Sequence, residues 1–300
     1  MIYETSKPAP VLGRSTSQYA NYRFRAVVDW ISLKIVMQHP TNFDTVRKRM
    51  GVPFATPVNE GAGKAATEFI VRIQEPTSWA NIEMTLAMLT HDHPLAAPVE
   101  VTGIEIAMDA YSRTDNREDL VDMVARFYKF AAVIVSDNHR TSGKGKHSSQ
   151  GIETYRSLRK RIQEGFNIYI GSTVDPTYQH MYVKETNNKN NVVEKLPDSE
   201  RRARSEFTFS GKDLQHSSLT DWFEHDFTLE ARCFKYRKLR RHLNSYARTP
   251  LMELAQIGEK KSRRRAMGGT RQYSVSTLAD TNLNALTYSA LRELTKRMQG

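Results

Sequence analysis

Cysteine and long apolar runs are both scarce in this chain, and each shortage narrows what the protein can be. Cys233 is the only cysteine among 300 residues, which excludes an internal disulfide and a cysteine-based zinc site. No apolar run approaches the roughly 20 residues of a membrane span, and residues 1–21 contain no apolar core of a secretory signal. We therefore expect a cytoplasmic protein without a membrane partner.

Acidic residues are also in deficit, and this imbalance points to a polyanionic partner. The chain has 44 Lys and Arg against 33 Asp and Glu, a formal net charge of +11 and a pI near 9.6. Residues 232–265 contain twelve Lys and Arg against two Glu, a difference of +10 that accounts for almost the whole excess. Tyr236 and Tyr246 are interleaved with these charges, where they can stack on bases.

This basic segment predicts phosphate contacts with double- and single-stranded DNA. An RNA site, an acidic protein partner and a plain basic surface are the alternatives. If the segment binds DNA, the predicted contacts are Arg237, Lys238, Arg240, Arg241, Lys260, Lys261, Arg263, Arg264 and Arg265.

Alternation of apolar and polar residues predicts strands, and helical spacing predicts the helices between them. The predicted strands are 25–37, 67–74, 99–110, 166–171, 178–185 and 201–210. The predicted helices are 42–50, 76–89, 117–135 and 152–164, followed by helical segments at 218–246 and 276–298. Residues 136–150 predict a polar loop, and residues 187–191 predict the turn of an exposed hairpin. This order predicts an α+β fold, with an antiparallel or mixed sheet, flanking helices and a basic helical C-terminal region.

Three of the predicted strands carry side chains that together suit chemistry on a phosphodiester. Glu105 and Asp109 lie on one strand, Tyr182 and Lys184 on another, and Glu206 on the last. Carboxylates suit a hard cation such as Mg²⁺ or Mn²⁺, and a tyrosine hydroxyl can form a covalent intermediate. Glu105 and Asp109 share a face but stand about 13 Å apart in an extended strand. Glu105 with Glu206 is therefore the better ligand pair, and Asp109 is an outer contact.

The order of these segments resembles that of the replication initiators of rolling-circle plasmids of the staphylococcal tetracycline-resistance type and of related filamentous phages. In that family an acidic strand, a Tyr-x-Gly-x segment, an Ile-Tyr-x-Lys strand and an Arg-x-Glu strand follow one another. Here the same order stands at residues 104–109, 169–172, 181–184 and 204–206. The similarity covers about residues 100–210.

The resemblance implies a metal-dependent nickase and religase that starts rolling-circle replication. Tyr182 is then the nucleophile that forms a 5′-phosphotyrosine, and Lys184 neutralises the phosphate or favours the tyrosinate. Glu105, Asp109 and Glu206 are then the residues that hold Mg²⁺ or Mn²⁺. The family also implies a homodimer, a host helicase as partner and a location in the bacterial cytoplasm.

Composition and periodicity predict a mobile arm at residues 1–21 and a basic helical DNA-binding region at 216–300, and the resemblance makes residues 22–215 the catalytic domain. The chain departs from the family at four positions. Glu105 replaces the usual Asp, Thr173 and His180 replace basic residues, and Thr208 replaces a second Glu.

Each candidate residue also has an ordinary structural interpretation. Tyr182 can be a sheet tyrosine that packs for bulk, the acids can line a half-solvated strand, and Lys184 can be a solvated lysine. A non-enzymatic, repressor-like DNA-binding protein on the same fold is therefore the main alternative, and an RNA-binding protein is the third. If Tyr182 is not the nucleophile, Tyr178 and then Tyr169 are the next candidates.

Two further motifs are rejected as sites. His91, Asp92 and His93 precede a proline and suit a turn after a helix better than a metal site. Residues 61–64, Gly-Ala-Gly-Lys, lack the spacing of a phosphate-binding loop.

Overall fold

An antiparallel sheet of nine strands forms the centre of the protein. The structure, a computed structural model, describes residues 18–59, 65–136, 138–143, 146–148, 154–189, 192–239, 259–260 and 277–300. In chain order the strands of this sheet are β1 (Tyr22–Asn42), β2 (Phe54–Pro57), β3 (Ala65–Gln74), β4 (Glu100–Ser112), β6 (His139–Gly143), β7 (Lys146–Ser148), β8 (Asn167–Ile170), β9 (Thr177–Lys184) and β12 (Arg202–Ser210). Across the sheet they run β2-β3-β1-β4-β12-β9-β8-β6-β7.

Short two-stranded pairings complete the β-structure. They are a hairpin of β10 (Thr186–Lys189) with β11 (Val192–Lys195), β5 (Val133–Ile134) with β14 (Glu259–Lys260), and β13 (Arg237–Leu239) with β15 (Thr277–Ala279). The hairpin stands where the Asn- and Lys-rich segment predicted it, although residues 190 and 191 of its turn lie outside the described residues.

Six α-helices are described: α1 (Phe43–Met50), α2 (Trp79–Thr90), α3 (Arg117–Lys129), α4 (Tyr155–Gln163), α5 (Leu219–Trp222) and α6 (Thr281–Gln299). Five begin at a side chain that accepts a hydrogen bond from the first turn, and these caps are Asn42, Ser78, Asn116, Thr154 and Asp280. Such caps satisfy backbone N–H groups that have no partner within the helix. The prediction of an α+β fold with flanking helices is confirmed.

The prediction of one helix over 117–135 is wrong at its C-terminal end. α3 stops at Lys129, and Ala131 forms a β-bridge with Tyr236 instead of continuing the helix. The next residues are the β-branched Val133 and Ile134 in β5. Such side chains lose rotamer freedom in a helix and favour extended structure.

The prediction of a polar loop over 136–150 is also wrong, because two strands form there. β6 pairs with β8, and Thr141 is buried opposite Ile168 at the sheet edge. Its hydroxyl accepts a hydrogen bond from Arg161 at 2.7 Å. Pairing with an existing strand supplies the stability here, and neither composition nor periodicity records it.

The prediction that residues 218–246 form a helix and that strands stop after 215 is wrong for the described residues. Only α5 and a 3₁₀ segment at Phe227–Arg232 are helical there, and β13 follows. Phe227 stacks on Trp79 of α2 at a centroid distance of 6.1 Å, and Phe234 packs edge-on against Phe207 of β12 at 4.9 Å. These aromatic side chains point to different partners, so they do not form one helical stripe.

The central strand β4 has a different chemistry on each face. Ile104, Ile106 and Met108 lie on the face that packs under α3, and all are buried in the apolar core. The alternate residues Glu105 and Asp109 lie on the opposite face, and they are buried as well. We call this second side the polar face of the sheet, and it carries most of the side chains discussed below.

The N- and C-terminal parts of the described chain meet at the edge of this core. Tyr19 donates a hydrogen bond of 2.6 Å to Asp280, the cap of α6, and α6 packs on β1. The predicted arm at residues 1–21 lies outside the described residues as far as residue 17. None of the described helices combines the length and the apolar character needed to cross a bilayer.

Candidate active site

Strand register brings the predicted acids and the predicted nucleophile together on the polar face. Glu206 of β12 lies between Ala107 of β4 and His180 of β9. Two residues after Glu206 on β12, Thr208 lies beside Glu105 of β4. The Thr208 hydroxyl donates a 2.5 Å hydrogen bond to the Glu105 carboxylate. Since side chains two apart share a face, Tyr182 projects from the same side as Glu206.

A third carboxylate, from Asp29, joins this group, and our sequence analysis missed it. Carboxylate oxygens of Asp29, Glu105 and Glu206 all lie within 4.8 Å of one another. We call these three side chains together the carboxylate group. Asp29 reaches the group because the register of β1 against β4 shifts between Val28 and Trp30. Such a bulge re-aims a side chain.

A signal for this bulge is present in the sequence of β1. Before Asp29 the buried apolar residues are even-numbered, as in Ala26 and Val28, whereas from Ile31 to Met37 they are odd-numbered. A change of parity within one strand requires an extra residue, because the side-chain period is two. The acid therefore stands at the one position where the alternation breaks.

The three carboxylates form a site that favours a cation. Burial and the negative charge of Glu206 raise the pKa of Glu105 well above its usual range. Burial also opposes the charge of Glu206, but a hydrogen bond from His180 and the positive charge of Arg204 outweigh it and hold the pKa of Glu206 low. Oxygen ligands of this kind fit Mg²⁺ or Mn²⁺. In the described part of the chain, no other group of three acidic, His or Cys side chains converges in this way.

Asp109, the other acid predicted to hold the metal, lies outside this group. It takes a two-pronged ion pair from Arg204, with distances of 2.6 Å from Nε to Oδ1 and 2.7 Å from Nη2 to Oδ2. Both side chains are almost completely buried. The third nitrogen of Arg204 contacts Asp29 and lies 3.3 Å from Glu206. Asp109 therefore orients the arginine that stands beside the carboxylates.

Tyr182 is hydrogen-bonded to one of these carboxylates. Its hydroxyl donates to Oε1 of Glu206 at 2.8 Å, while Nδ1 of His180 lies 3.0 Å from Oε2 of the same residue. Burial and the charge of Glu206 raise the pKa of Tyr182 well above its usual range, against the effect of Arg204. The tyrosine is therefore protonated at neutral pH, and any reaction at its oxygen would require removal of this proton.

Lys184 lies two residues further along the same face. Its Nζ is 3.8 Å from both Asp29 and Glu75, and only 12 % of its side chain is exposed. Burial, followed by the nearby charge of Arg204, lowers the pKa of Lys184. The lysine is therefore positioned at the carboxylate group and is not a solvated surface residue.

The two alternative nucleophiles lie in a row of aromatic rings that leads away from Tyr182. His180 stacks on Tyr182 at 4.3 Å and on Tyr169 at 4.4 Å, and Tyr169 stacks on Tyr178 at 6.1 Å. The guanidinium of Arg140 lies over Tyr169 at 5.0 Å. Burial raises the pKa of Tyr178 to about 12. For Tyr182 the structure shows a direct hydrogen bond to the carboxylate group.

The predicted DNA contacts in the basic segment fall mostly outside the described residues. Arg237 and Lys238 lie in β13, and Lys238 stands 3.8 Å from Asp280. Lys260 lies in β14. Those outside the described residues are Arg240, Arg241, Lys261, Arg263, Arg264 and Arg265.

The rejected motifs differ in how much of them is described. His91 is exposed and lies 2.7 Å from Asp92, which also pairs with Arg49. The second rejected motif, residues 61–64, lies outside the described residues.

The chain was compared with family models, curated proteins and solved structures, and similarity was found among the solved structures. No protein-family model matches the chain, and no curated protein matches it. The chain is similar to the structure of a rolling circle replication initiator protein from Geobacillus stearothermophilus, with 10 % sequence identity and a TM-score of 0.35. This similarity covers 76 % of the present chain and 92 % of that one.

Proposed function

We propose that the protein is a metal-dependent DNA nickase and religase that initiates rolling-circle replication, with Tyr182 as its nucleophile. The observation that carries this proposal is the hydrogen bond from Tyr182 to Glu206, which also belongs to the group of three converging carboxylates. Any buried tyrosine hydroxyl needs a hydrogen-bond partner, but here the partner belongs to three converging carboxylates, and a pure binding protein gains nothing from burying three acids together. The family pattern described above also supports Tyr182 as the nucleophile and Glu105 and Glu206 as metal ligands.

The proposed reaction replaces one phosphate ester by another. The Tyr182 oxygen attacks phosphorus and forms a phosphotyrosine, while the bond from phosphorus to the 3′ oxygen breaks. Glu206 accepts the hydrogen bond of the tyrosine hydroxyl and passes its proton on to solvent, and the departing 3′ oxygen takes a proton from water. Religation reverses these steps, because the new ester conserves the energy of the old one. No nucleotide cofactor is therefore required.

The remaining residues have separate proposed roles. Asp29, Glu105 and Glu206 hold Mg²⁺ or Mn²⁺, which when bound polarises the phosphate and stabilises the charge that develops on it. Lys184 contacts the scissile phosphate. Arg204, fixed by Asp109, orients Asp29 and Glu206 and lowers the electrostatic cost of their proximity.

Nicking of supercoiled DNA from the replicon that encodes the chain tests this proposal. With Mn²⁺ we expect open circles and protein covalently attached to DNA. Tyr182→Phe removes one hydroxyl and keeps the ring, so it should bind DNA normally and give no open circles. Tyr178→Phe is the matched control and should nick as the natural protein does. A gel shift without any nicking by the natural protein would favour the repressor-like alternative.

The basic segment is proposed to hold the duplex while the sheet cuts one strand. Neutralising Lys260, Lys261, Arg263, Arg264 and Arg265 should weaken duplex binding and reduce its log–log salt slope by roughly four units, since each phosphate contact contributes about −0.9. A short single strand with the nick site should still be cleaved at high protein concentration. An unchanged slope would show that these residues do not contact phosphate. The homodimer and the host helicase belong to the same proposal and rest on the family pattern alone.

A further inference from the structure

A concave surface adjoins the carboxylate group, and most of its charged lining residues are arginines. It encloses about 470 Å³ between β1, β4, β12 and the C-terminal end of α6. Asp109 and Arg204 contribute to its wall, so it is continuous with the candidate active site. Its other cationic lining residues are Arg23, Arg25, Arg202 and Arg297. We call this surface the arginine cleft.

The arginine cleft has an excess of positive charge. Five arginines line it against three acids, Glu75, Asp109 and Glu200. Asp109 pairs with Arg204 and, at 3.2 Å, with Arg202, whereas Glu75 lies near Lys184. Neither acid pairs with the remaining arginines of the cleft.

Three arginines of the cleft have no ion-pair partner among the described residues. Arg23 lies over the ring of Tyr111, and Arg297 donates to the backbone carbonyl of Ala26. Arg25 and Arg297 line the same cavity, and burial followed by the positive charge of Arg25 lowers the pKa of Arg297. A cluster that repels itself in this way is relieved when an anion enters it.

The cleft is also preorganised. Tyr111 lies between two guanidinium groups, with Arg23 at 4.7 Å and Arg202 at 5.7 Å from its ring centroid. Arg202 is held further by a 2.9 Å hydrogen bond to the carbonyl of Glu200. Planar guanidinium groups held in this way match the geometry of phosphate oxygens.

We propose that the arginine cleft binds the phosphodiester backbone of a single DNA strand next to the bond that Tyr182 attacks. The proposal rests on the proposed function and adds a binding site outside the basic segment. A volume in the range of small-molecule sites fits a short stretch of one strand and is too small for a duplex. Arg204 lines the cleft and contacts Asp29 and Glu206, so a strand that leaves the cleft past it arrives at the carboxylate group.

A pair of charge-removing variants tests this site. Arg25→Gln with Arg297→Gln removes two positive charges from the cleft. The matched control, Lys48→Gln with Arg292→Gln, removes two charges from exposed residues that do not line it. Arg292 and Arg297 lie on the same helix, so the comparison isolates the side that faces the cleft.

The measurement is binding of a fluorescent single-stranded DNA oligonucleotide in EDTA over a series of salt concentrations. EDTA prevents cleavage, so the result does not depend on which residue is the nucleophile. Each phosphate contact on a single strand contributes about −0.7 to the log–log slope. The cleft variant should therefore lose roughly 1.4 units of slope, and the control should match the natural protein. Arg25→Gln alone, at an exposed position, should lose about 0.7 units and guards against a folding defect at half-buried Arg297.

Three results would overturn the inference. The first is an unchanged salt slope in cleft variants whose unfolding temperature equals that of the natural protein. The second is an equal loss of slope in the control variant. The third is a loss of slope with duplex DNA but not with single-stranded DNA. If the natural protein cleaves DNA but the slope is unchanged, only the arginine cleft is wrong. If the natural protein binds no single-stranded DNA at all, the proposed function fails with it.

Discussion

Both faces of β4 are buried, but burial stabilises the fold on the apolar face and destabilises it on the polar face. Ile104, Ile106 and Met108 pack under α3 and have no exposed surface. On the polar face, Glu105 is held near Glu206 and Asp29 at distances where their charges repel. Burying apolar surface favours folding, whereas burying like charges opposes it. Stability therefore does not explain why these acids are buried on the polar face.

The largest expected effect concerns the carboxylates that we propose as metal ligands, and these substitutions change only the polar face. Glu206→Gln and Glu105→Gln should each reduce cleavage by about 100-fold or more, because each removes a charged ligand. Both variants keep a side chain of the same shape, so the fold should persist. Retained cleavage in either variant, or full activity of the natural protein in EDTA, would show that cleavage does not need a metal ion held by these residues.

Asp109 should behave differently from these acids, although it lies on the same strand and face. Asp109→Asn leaves Arg204 buried without its main counter-charge, which should cost about 3–5 kcal/mol of stability. Urea unfolding measures this loss. A variant that is as stable as the natural protein but cannot bind Mn²⁺ would instead make Asp109 a metal ligand.

The pH dependence of stability sharpens the comparison further. Folding raises the pKa of Glu105 from 4.5 to about 8, so between these values the folded protein holds a proton that the unfolded chain has lost. Stability without metal should therefore fall as the pH rises through this window. The low pKa of Glu206 acts in the opposite sense, but its contribution is lost only below about pH 4.5.

Glu105→Gln should abolish that pH dependence. At pH 8 in EDTA the variant should be more stable than the natural protein by on the order of 2 kcal/mol, although it cleaves poorly. Mn²⁺ at 100 times its dissociation constant should stabilise the natural protein by about 2.7 kcal/mol and leave the variant unchanged. Thermal unfolding with and without Mn²⁺ measures both effects. A variant that is less stable at pH 8 would show that the carboxylates do not repel one another.

The smallest expected effect lies on the apolar face. Ile106→Val removes one buried methylene group and should cost about 1 kcal/mol of stability, with cleavage unchanged at a temperature where the variant is folded. A selective loss of cleavage in this variant would show that the apolar and polar faces of β4 are coupled and do not have separate roles.

The sequence predicts the centre of this fold better than its edges. The strands around Glu105, Tyr182 and Glu206 alternate strongly because one side packs on α3, and alternation is the signal that sequence analysis detects. β6 and β7 are polar and depend on pairing at the sheet edge, so composition alone suggests a loop. Around Trp222 and Phe234, aromatic residues pack in several directions, and their spacing imitates a helix.

The candidate site was only partly predictable for a similar reason. The resemblance to the initiator family selects Tyr182 and Glu206, but strand register decides which acids meet, and register is not visible in a single strand. The strand period separates Asp109 from Glu105 and predicts an outer position for Asp109, but its ion pair with Arg204 is visible only in the structure. Asp29 was missed because we did not use the parity change in β1.

Mass spectrometry of a covalent protein–DNA adduct tests the central claim most directly. The natural protein is incubated with Mn²⁺ and a single-stranded oligonucleotide that carries the nick site, and the adduct is digested to peptides. We predict that the added nucleotide mass is on the peptide that contains Tyr182, bound through the tyrosine oxygen. Nucleotide attached to Tyr178 or Tyr169, or cleavage without any covalent adduct, would contradict the account.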